Sequence, residues 1–275
     1  MRRSNPAPTS LAGRAGDAGL ALWYALVVVF LFAPIATSIV YSFNLGTLGK
    51  QTALFTGWTL GWYGAAFDNL TLRHAVETSL VVSLYSAIIA VFVGSALGFA
   101  MVRHPRAAVR AALTGMTYIL LIVPETVMGV SLLLFYAVTE IRLGMATLVA
   151  GITPLAISVT ALIVRAGVLT LDRKLEDAAA DLGAGRLQTF RFVVLPHLAP
   201  AIAAAALMAY VFSFDNLVVS TFLTTPLVNT LPVYLYGSLQ YGPSPAIYAA
   251  ASAIFAFTLA IVAVAGLLYR LAVRR

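Results

Sequence analysis

The chain of 275 residues has no cysteine, which excludes a disulfide framework and a thiolate metal site. Charge is scarce as well: 10% of residues are Asp, Glu, Lys or Arg, where a soluble domain carries about 25%. The three histidines, His74, His104 and His197, are scattered, and neither HExxH nor GxSxG occurs, so no catalytic or metal site is expected. A phosphate-binding loop is missing too. The nearest approach, Gly46-Thr47-Leu48-Gly49-Lys50-Gln51, has the wrong spacing and lacks the Ser or Thr after lysine. No ATP or magnesium is therefore expected on this chain, and any ATP chemistry has to come from another polypeptide.

What the chain has in excess is apolar sequence. Hydrophobic residues make up 61%, and mean hydropathy is +0.95. A bilayer core about 30 Å thick needs roughly 20 apolar helical residues to cross it. Six runs meet that need: Leu20–Phe43, Ala75–Val102, Ala107–Ala137, Leu148–Leu169, Leu198–Phe222 and Ile247–Leu268. The third contains Pro124-Glu125 and reads as one broken helix, with two shorter re-entrant pieces as the alternative. The expected fold class is an all-α integral membrane protein with six transmembrane helices. A flexible segment over 1–19 precedes a single membrane domain over 20–271. The first run is too long for a signal-peptide core and is expected to remain as a span.

Basic residues set the orientation. With six spans both termini share one side, and that side receives 14 of the 17 Lys and Arg: Arg2, Arg3, Arg14, Arg103, Arg106, Arg110, Arg165, Arg173, Lys174, Arg186, Arg191, Arg270, Arg274 and Arg275. The other side receives Lys50, Arg73 and Arg142. Both termini and the 170–197 loop are thus expected in the cytoplasm. The net charge of +7 follows from topology, and no nucleic-acid partner is implied.

The outer loops are aromatic. Asn44–His74 carries Trp58, Trp62, Tyr63 and Phe67, read as an interfacial belt or as a contact surface for an extracytoplasmic partner. Leu223–Ala246 has no charge, and Pro232, Gly237, Gly242, Pro243 and Pro245 interrupt any long helix, while Tyr234, Tyr236 and Tyr241 supply amphipathic rings. It is read as a membrane-lying segment or a vestibule lining. Within the second run, Gly94-Ser95-Ala96-Leu97-Gly98 places small residues four apart, which lets helix backbones approach closely.

The 171–197 loop is the polar exception between hydrophobic runs. Leu171–Ala180 favours a helix, with Ala178, Ala179 and Ala180 as strong formers. Gly183-Ala184-Gly185 ends it through left-handed conformations. A second short helix over 186–194 is expected to end at Leu195-Pro196. The resulting helix–turn–helix offers small residues for close approach by a soluble partner and the charges Glu176, Asp177, Asp181 and Arg186 to set register; the plainer reading is an ordinary solvated loop.

Taken as a whole, Asp177-Ala178-Ala179-x-x-x-Gly183 followed nine residues later by Val193-x-Leu195-Pro196 resembles the EAA loop of binding-protein-dependent ABC importer permeases. That family usually has Glu at Asp177 and Ile at Val193. Val123-Pro124-Glu125 with Gly129-Val130-Ser131-Leu132-Leu133 resembles the family's third span. Ser213-Phe214-Asp215-Asn216-Leu217-Val218-Val219-Ser220 and Thr230-Leu231-Pro232 resemble the spermidine/putrescine class. The resemblance runs from about Leu20 to the C-terminus and implies a type I ABC importer (MetI-like) fold in a bacterial cytoplasmic membrane. It implies a second permease subunit, two cytosolic ATPase subunits that bind the ATP and magnesium, and an extracytoplasmic solute-binding protein. It also implies that Glu176, Asp177, Ala178, Ala179, Gly183, Leu195 and Pro196 lie at the ATPase contact.

Glu125 and Asp215 fall inside hydrophobic runs, where charge is costly and marks a pathway or a pairing. Each lies 17–18 residues from the cytoplasmic start of its run, roughly 26 Å at the helical rise, in the outer part of the membrane. Both are candidates to line an outward-opening vestibule and to offset the dehydration of a polyamine's ammonium groups, with Tyr210 and Phe214 adding cation–π contact. The plainer alternative is structural: Glu125 directly after Pro124 suits a helix start, where negative charge is favoured. Other solutes (an opine, an aminophosphonate, ferric iron) and a secondary carrier or channel are the remaining alternatives.

Overall fold

The computed structural model describes residues 11–52, 54–240, 242, 244–256 and 259. Arg2, Arg3, Tyr241, Pro243, Arg270, Arg274, Arg275 and the later part of the sixth run lie outside the described residues. The described residues are helical apart from turns and two isolated bridges, Asn44–Trp58 and Thr47–Lys50. In order the helices are α1 Leu11–Tyr41, α2 Gly61–Asp68, α3 Leu70–Arg103, α4 Ala107–Ile122, α5 Glu125–Val138, α6 Met145–Thr170, α7 Arg173–Asp181, α8 Arg186–Thr189, α9 Leu195–Phe214, α10 Val218–Leu223, α11 Leu231–Gln240 and α12 Pro245–Ala256. Helix α1 takes in the second half of the segment expected to be flexible.

Among the described residues, four helices are long and apolar enough to cross a membrane: Gly19–Tyr41, Leu70–Arg103, Met145–Thr170 and Arg186–Phe214. The pair α4 and α5 meets the same test only together, bent by 93° at Val123-Pro124. Proline has no N–H to continue α4, and the residue before it is held out of the helical region. Val123 accordingly sits at φ −58°, ψ 126°. Of the sixth run the described part is α12, which is too short to cross by itself.

The described residues fall into two compact units, one within 1–69 together with 238–275, the other within 70–237. In the first, α1 carries no charged residue from Gly19 to Tyr41 and exposes Trp23 and Phe30, as a helix surrounded by lipid does. The loop after α1 is built around Asn44, which is fully buried. Its amide donates to Gln51 Oε1 at 2.8 Å and to the Leu54 carbonyl at 3.3 Å, and its Oδ1 accepts from the Thr56 N–H at 2.7 Å. Phe43 packs against Trp58 and Tyr63, and Ser42 Oγ lies 2.8 Å from Tyr63 OH.

In the second unit α3, α6 and α9 form the packed centre, with apolar clusters around Leu148, Ile152 and Val219 and around Val164, Val168 and Leu198. Little hydrophobic force separates helix from lipid, so close backbone approach does the holding. The expected small-residue stretch provides it. A Cβ on Gly98 would stand 2.5 Å from the Ala161 carbonyl oxygen, and one on Gly94 2.8 Å from that of Ile157. Buried hydroxyls turn back on their own helices, as Ser83 Oγ does to the Ser79 carbonyl at 2.6 Å and Thr153 Oγ1 to that of Val149 at 2.6 Å.

Two boundaries differ from the sequence reading. The fifth run does not continue as one helix to Phe222: α9 stops at Phe214, and α10 restarts at Val218. Asn216 lies in the break and takes the Ser220 N–H on its Oδ1 at 3.3 Å, a side-chain bond that competes with continuation of the helix. The second helix of the polar loop does not end at Leu195-Pro196. It passes through a π turn, Phe190–Val194, directly into α9. Proline in a helix clashes with the carbonyl four residues earlier, and the wider π turn just before Pro196 makes room for its ring. His197 Nδ1 then donates to the Val193 carbonyl at 2.7 Å.

Candidate functional site

The 171–197 loop comes first. Asp172 caps α7 by accepting the Lys174 N–H at 3.0 Å. At the other end the Ala184 N–H bonds the Ala179 carbonyl at 3.0 Å and the Gly183 N–H bonds that of Ala180 at 2.9 Å. This is a Schellman closure, and its turning residue needs a positive φ. Gly183 supplies it at φ +82°. Gly185 stays at φ −69° and instead donates its N–H to Gln188 Oε1 at 2.9 Å to start α8.

The turn leaves a defined face outward. Asp177, Ala178, Gly183, Leu195 and Pro196 are exposed, while Ala179 is half-buried. Two apolar residues not singled out in the sequence stand out here: Leu182 is 89% exposed and Leu187 78%. Glu176 points the other way. Its Oε1 lies 2.8 Å from Nη2 of Arg103 at the end of α3, and both side chains are largely covered. A cavity of ≈ 500 Å³ lies beside this pair, lined by Phe99, Asp177, Arg186 and Phe190 among others. Arg103 was legible in the sequence as a topological charge; its pairing was not.

The carboxylates make the second site. Glu125 opens α5, and Asp215 caps the end of α9. Although 90 positions apart, both line one cavity of ≈ 320 Å³ with Met208, Val211, Phe212 and Asn216. Residues 208, 211, 212 and 215 form a single stripe along α9 at helical spacing. Tyr210 is off that stripe. It stacks on Phe214 with centroids 6.3 Å apart and packs by the alanines Ala87, Ala90, Ala156 and Ala209. The structure therefore brings Glu125 and Asp215 together and leaves Tyr210 outside the cavity lining.

Asn216 completes this site. It is 5% exposed, and its Nδ2 donates to Glu125 Oε2 at 3.1 Å. Its other face accepts from the Ser220 N–H and hydroxyl, so one amide orders Glu125 and α10 together. A buried polar side chain beside an acid inside a hydrophobic run is the sequence signal for it. About one turn along α5 from Glu125, Gly129 lets α10 lie close: a Cβ there would stand 2.5 Å from the Phe222 ring.

These features agree with what the chain is similar to. A family described as binding-protein-dependent transport system inner membrane component matches residues 90–275. The spermidine/putrescine transport system permease PotC of Escherichia coli (strain K12) is 30% identical over 244 residues, covering 89% of this chain and 91% of that one. The putrescine transport system permease PotI of the same organism is 31% identical over 231 residues, covering 82% and 81%. Among solved structures, a bacterial ABC transporter involved in the import of the acidic polysaccharide alginate superposes with a TM-score of 0.71 at 14% identity, over 96% of this chain and 99% of that one. The identity is too low to carry function, but the fold is shared. The chain belongs to the family of binding-protein-dependent transport system inner membrane components: it is an ABC importer permease with the all-helical type I transmembrane fold.

Proposed function

We propose that this permease forms half of the translocation pathway of a bacterial polyamine importer. Two relatives of about 30% identity that are matched over most of their length are permeases for spermidine/putrescine and for putrescine. The observation that carries the reading to this chain's own residues is the shared cavity of Glu125 and Asp215. A polyamine crossing a low-dielectric region loses hydration around each ammonium, and two carboxylates in one small cavity offset that loss. In this reading the chain crosses the bacterial cytoplasmic membrane six times, with both termini in the cytoplasm. It pairs with a second permease subunit and receives solute from an extracytoplasmic binding protein. It carries no ATP chemistry. Two cytosolic ATPase subunits dimerise on ATP and grip the exposed face made by Asp177, Ala178, Gly183, Leu195 and Pro196 with Leu182 and Leu187.

The test is uptake of radiolabelled spermidine and putrescine by the complete transporter in proteoliposomes. Glu125→Gln and Asp215→Asn are each expected to raise KM about tenfold, the equivalent of about 1.4 kcal/mol. Because both groups line one cavity, the double variant should fall short of the sum. Unchanged KM for both solutes in both variants would return the two carboxylates to a structural role. A binding protein of the same system that holds an opine, an aminophosphonate or ferric iron, with no polyamine uptake, would overturn the solute.

A further inference from the structure

We propose that Arg103 is a positioning residue for energy coupling, fastening the 171–197 loop to the end of α3 so that movement of the loop is delivered to α3 as well as along α9. The inference rests on the reading that this loop meets the ATPase.

Helix α7 buries none of its residues, so side-chain packing does not fix its position. Arg103 holds it by one ion pair and one hydrogen bond. Its Nη2 lies 2.8 Å from Glu176 Oε1, in the middle of α7, and donates to the Leu171 carbonyl at 3.0 Å, just before α7 begins. Leu171 is itself buried in the cluster of Val164, Val168 and Leu198. The guanidinium thus ties the entry limb of the loop at two points. Its side chain is 11% exposed and that of Glu176 27%, and neither is free to swing as a surface pair is. One helical turn earlier on the same face of α3, Phe99 meets Phe190 edge-on, with centroids 5.8 Å apart. That contact holds the exit limb, at the π turn into α9. Residues 99 and 103 together grip both limbs.

Helix α3 is suited to carry a displacement. It is one uninterrupted helix from Leu70 to Arg103, held against α6 at Gly94 and Gly98. Near its other end Ser79 Oγ accepts the Leu231 N–H, at the first residue of α11, at 2.8 Å. Ser79 and Arg103 are about 36 Å apart along the helix at its usual rise. A rigid helix bonded to its neighbours at two distant points is one kind of element that can pass a two-state change across that distance.

The experiment measures putrescine uptake and ATP hydrolysis together in proteoliposomes holding the complete transporter with its binding protein. Arg103→Glu and Glu176→Arg are each expected to hydrolyse ATP while the uptake per ATP falls about tenfold. The swapped pair, Arg103→Glu with Glu176→Arg, should recover to within about threefold of the parent. A merely structural arginine would change the amount of protein, not this ratio. Glu176→Gln, which keeps shape and removes charge, covers the case in which the reversals do not insert, and it too should lower the ratio. A parental ratio in Arg103→Glu or Glu176→Gln, or a swap no better than the single changes, overturns the proposal. Gly183→Leu separates the two readings. If it blocks uptake while the Arg103 variants behave as the parent, only the role of Arg103 fails. If it transports normally as well, the loop is not the coupling element and both fail.

Discussion

The amide of Asn216 donates to Glu125 Oε2 at 3.1 Å while its Oδ1 accepts from Ser220 at the start of α10. One buried side chain thereby joins the break before α5 to the break after α9, each of which carries a carboxylate. Asn216→Leu removes both bonds in a site too covered for water to replace them freely. The expected loss is about 1–3 kcal/mol of stability, read as a lower unfolding temperature of the purified permease. Putrescine KM should rise with it, because Glu125 is no longer held. Asn216→Asp keeps the acceptor for Ser220 and replaces the donor with a like charge against Glu125. A KM for Asn216→Asp equal to the parent's would show that the hydrogen bond to Glu125 does not set affinity.

Gly183 offers a separate check on the loop. Its φ of +82° penalises a side chain by about 1–2 kcal/mol through the backbone alone, and Asn tolerates this conformation best. No described atom lies within 4 Å of where a Cβ would stand. Bulk added here therefore meets no other described part of this chain. Gly183→Asn is expected to be milder than Gly183→Ala in thermal unfolding. Gly183→Leu should accumulate in the membrane yet stop uptake. Failure of Gly183→Leu to insert, with Gly183→Asn normal, would assign the position to folding instead.

Helix packing is tested at two glycines of opposite surroundings. Gly98→Leu drives a side chain into the Ala161 carbonyl and the Val164 side chain and should cost at least about 1–3 kcal/mol, seen as loss of extractable protein. Gly115→Leu in α4 has nothing within 4 Å and replaces a poor helix former by a good one, so its yield should match the parent. Equal yields for the two variants would mean that α3 and α6 are not held by this approach.

Much of this was legible in linear sequence. Spans show as apolar runs because the bilayer imposes a minimum length, and the small-residue stretch at 94–98 shows because close packing requires it. The reversal at Gly183 follows from local chemistry, and α7 appears within two residues of its expected bounds. The end of the second loop helix was not legible. Pro196 reads as a stop, yet a π turn upstream accommodates it and the helix runs on. The end of α9 was equally hidden, since an apolar run gives no sign that the Asn216 side chain will bond the first turn of a new helix.

By itself the sequence determined where the chain is apolar enough to enter a membrane, where it turns, and that it belongs with the ABC importer permeases. Each of these depends on residues near one another, or on a pattern long enough to identify by itself. The tertiary structure alone decided that Glu125 shares a cavity with Asp215 while Tyr210 does not, and that Glu176 faces Arg103 while Asp177 faces outward. Those outcomes depend on which face each helix turns toward its neighbour. Helices in an apolar surround settle that by close backbone contact, so a carboxylate's partner is chosen by packing and not by its place in the chain.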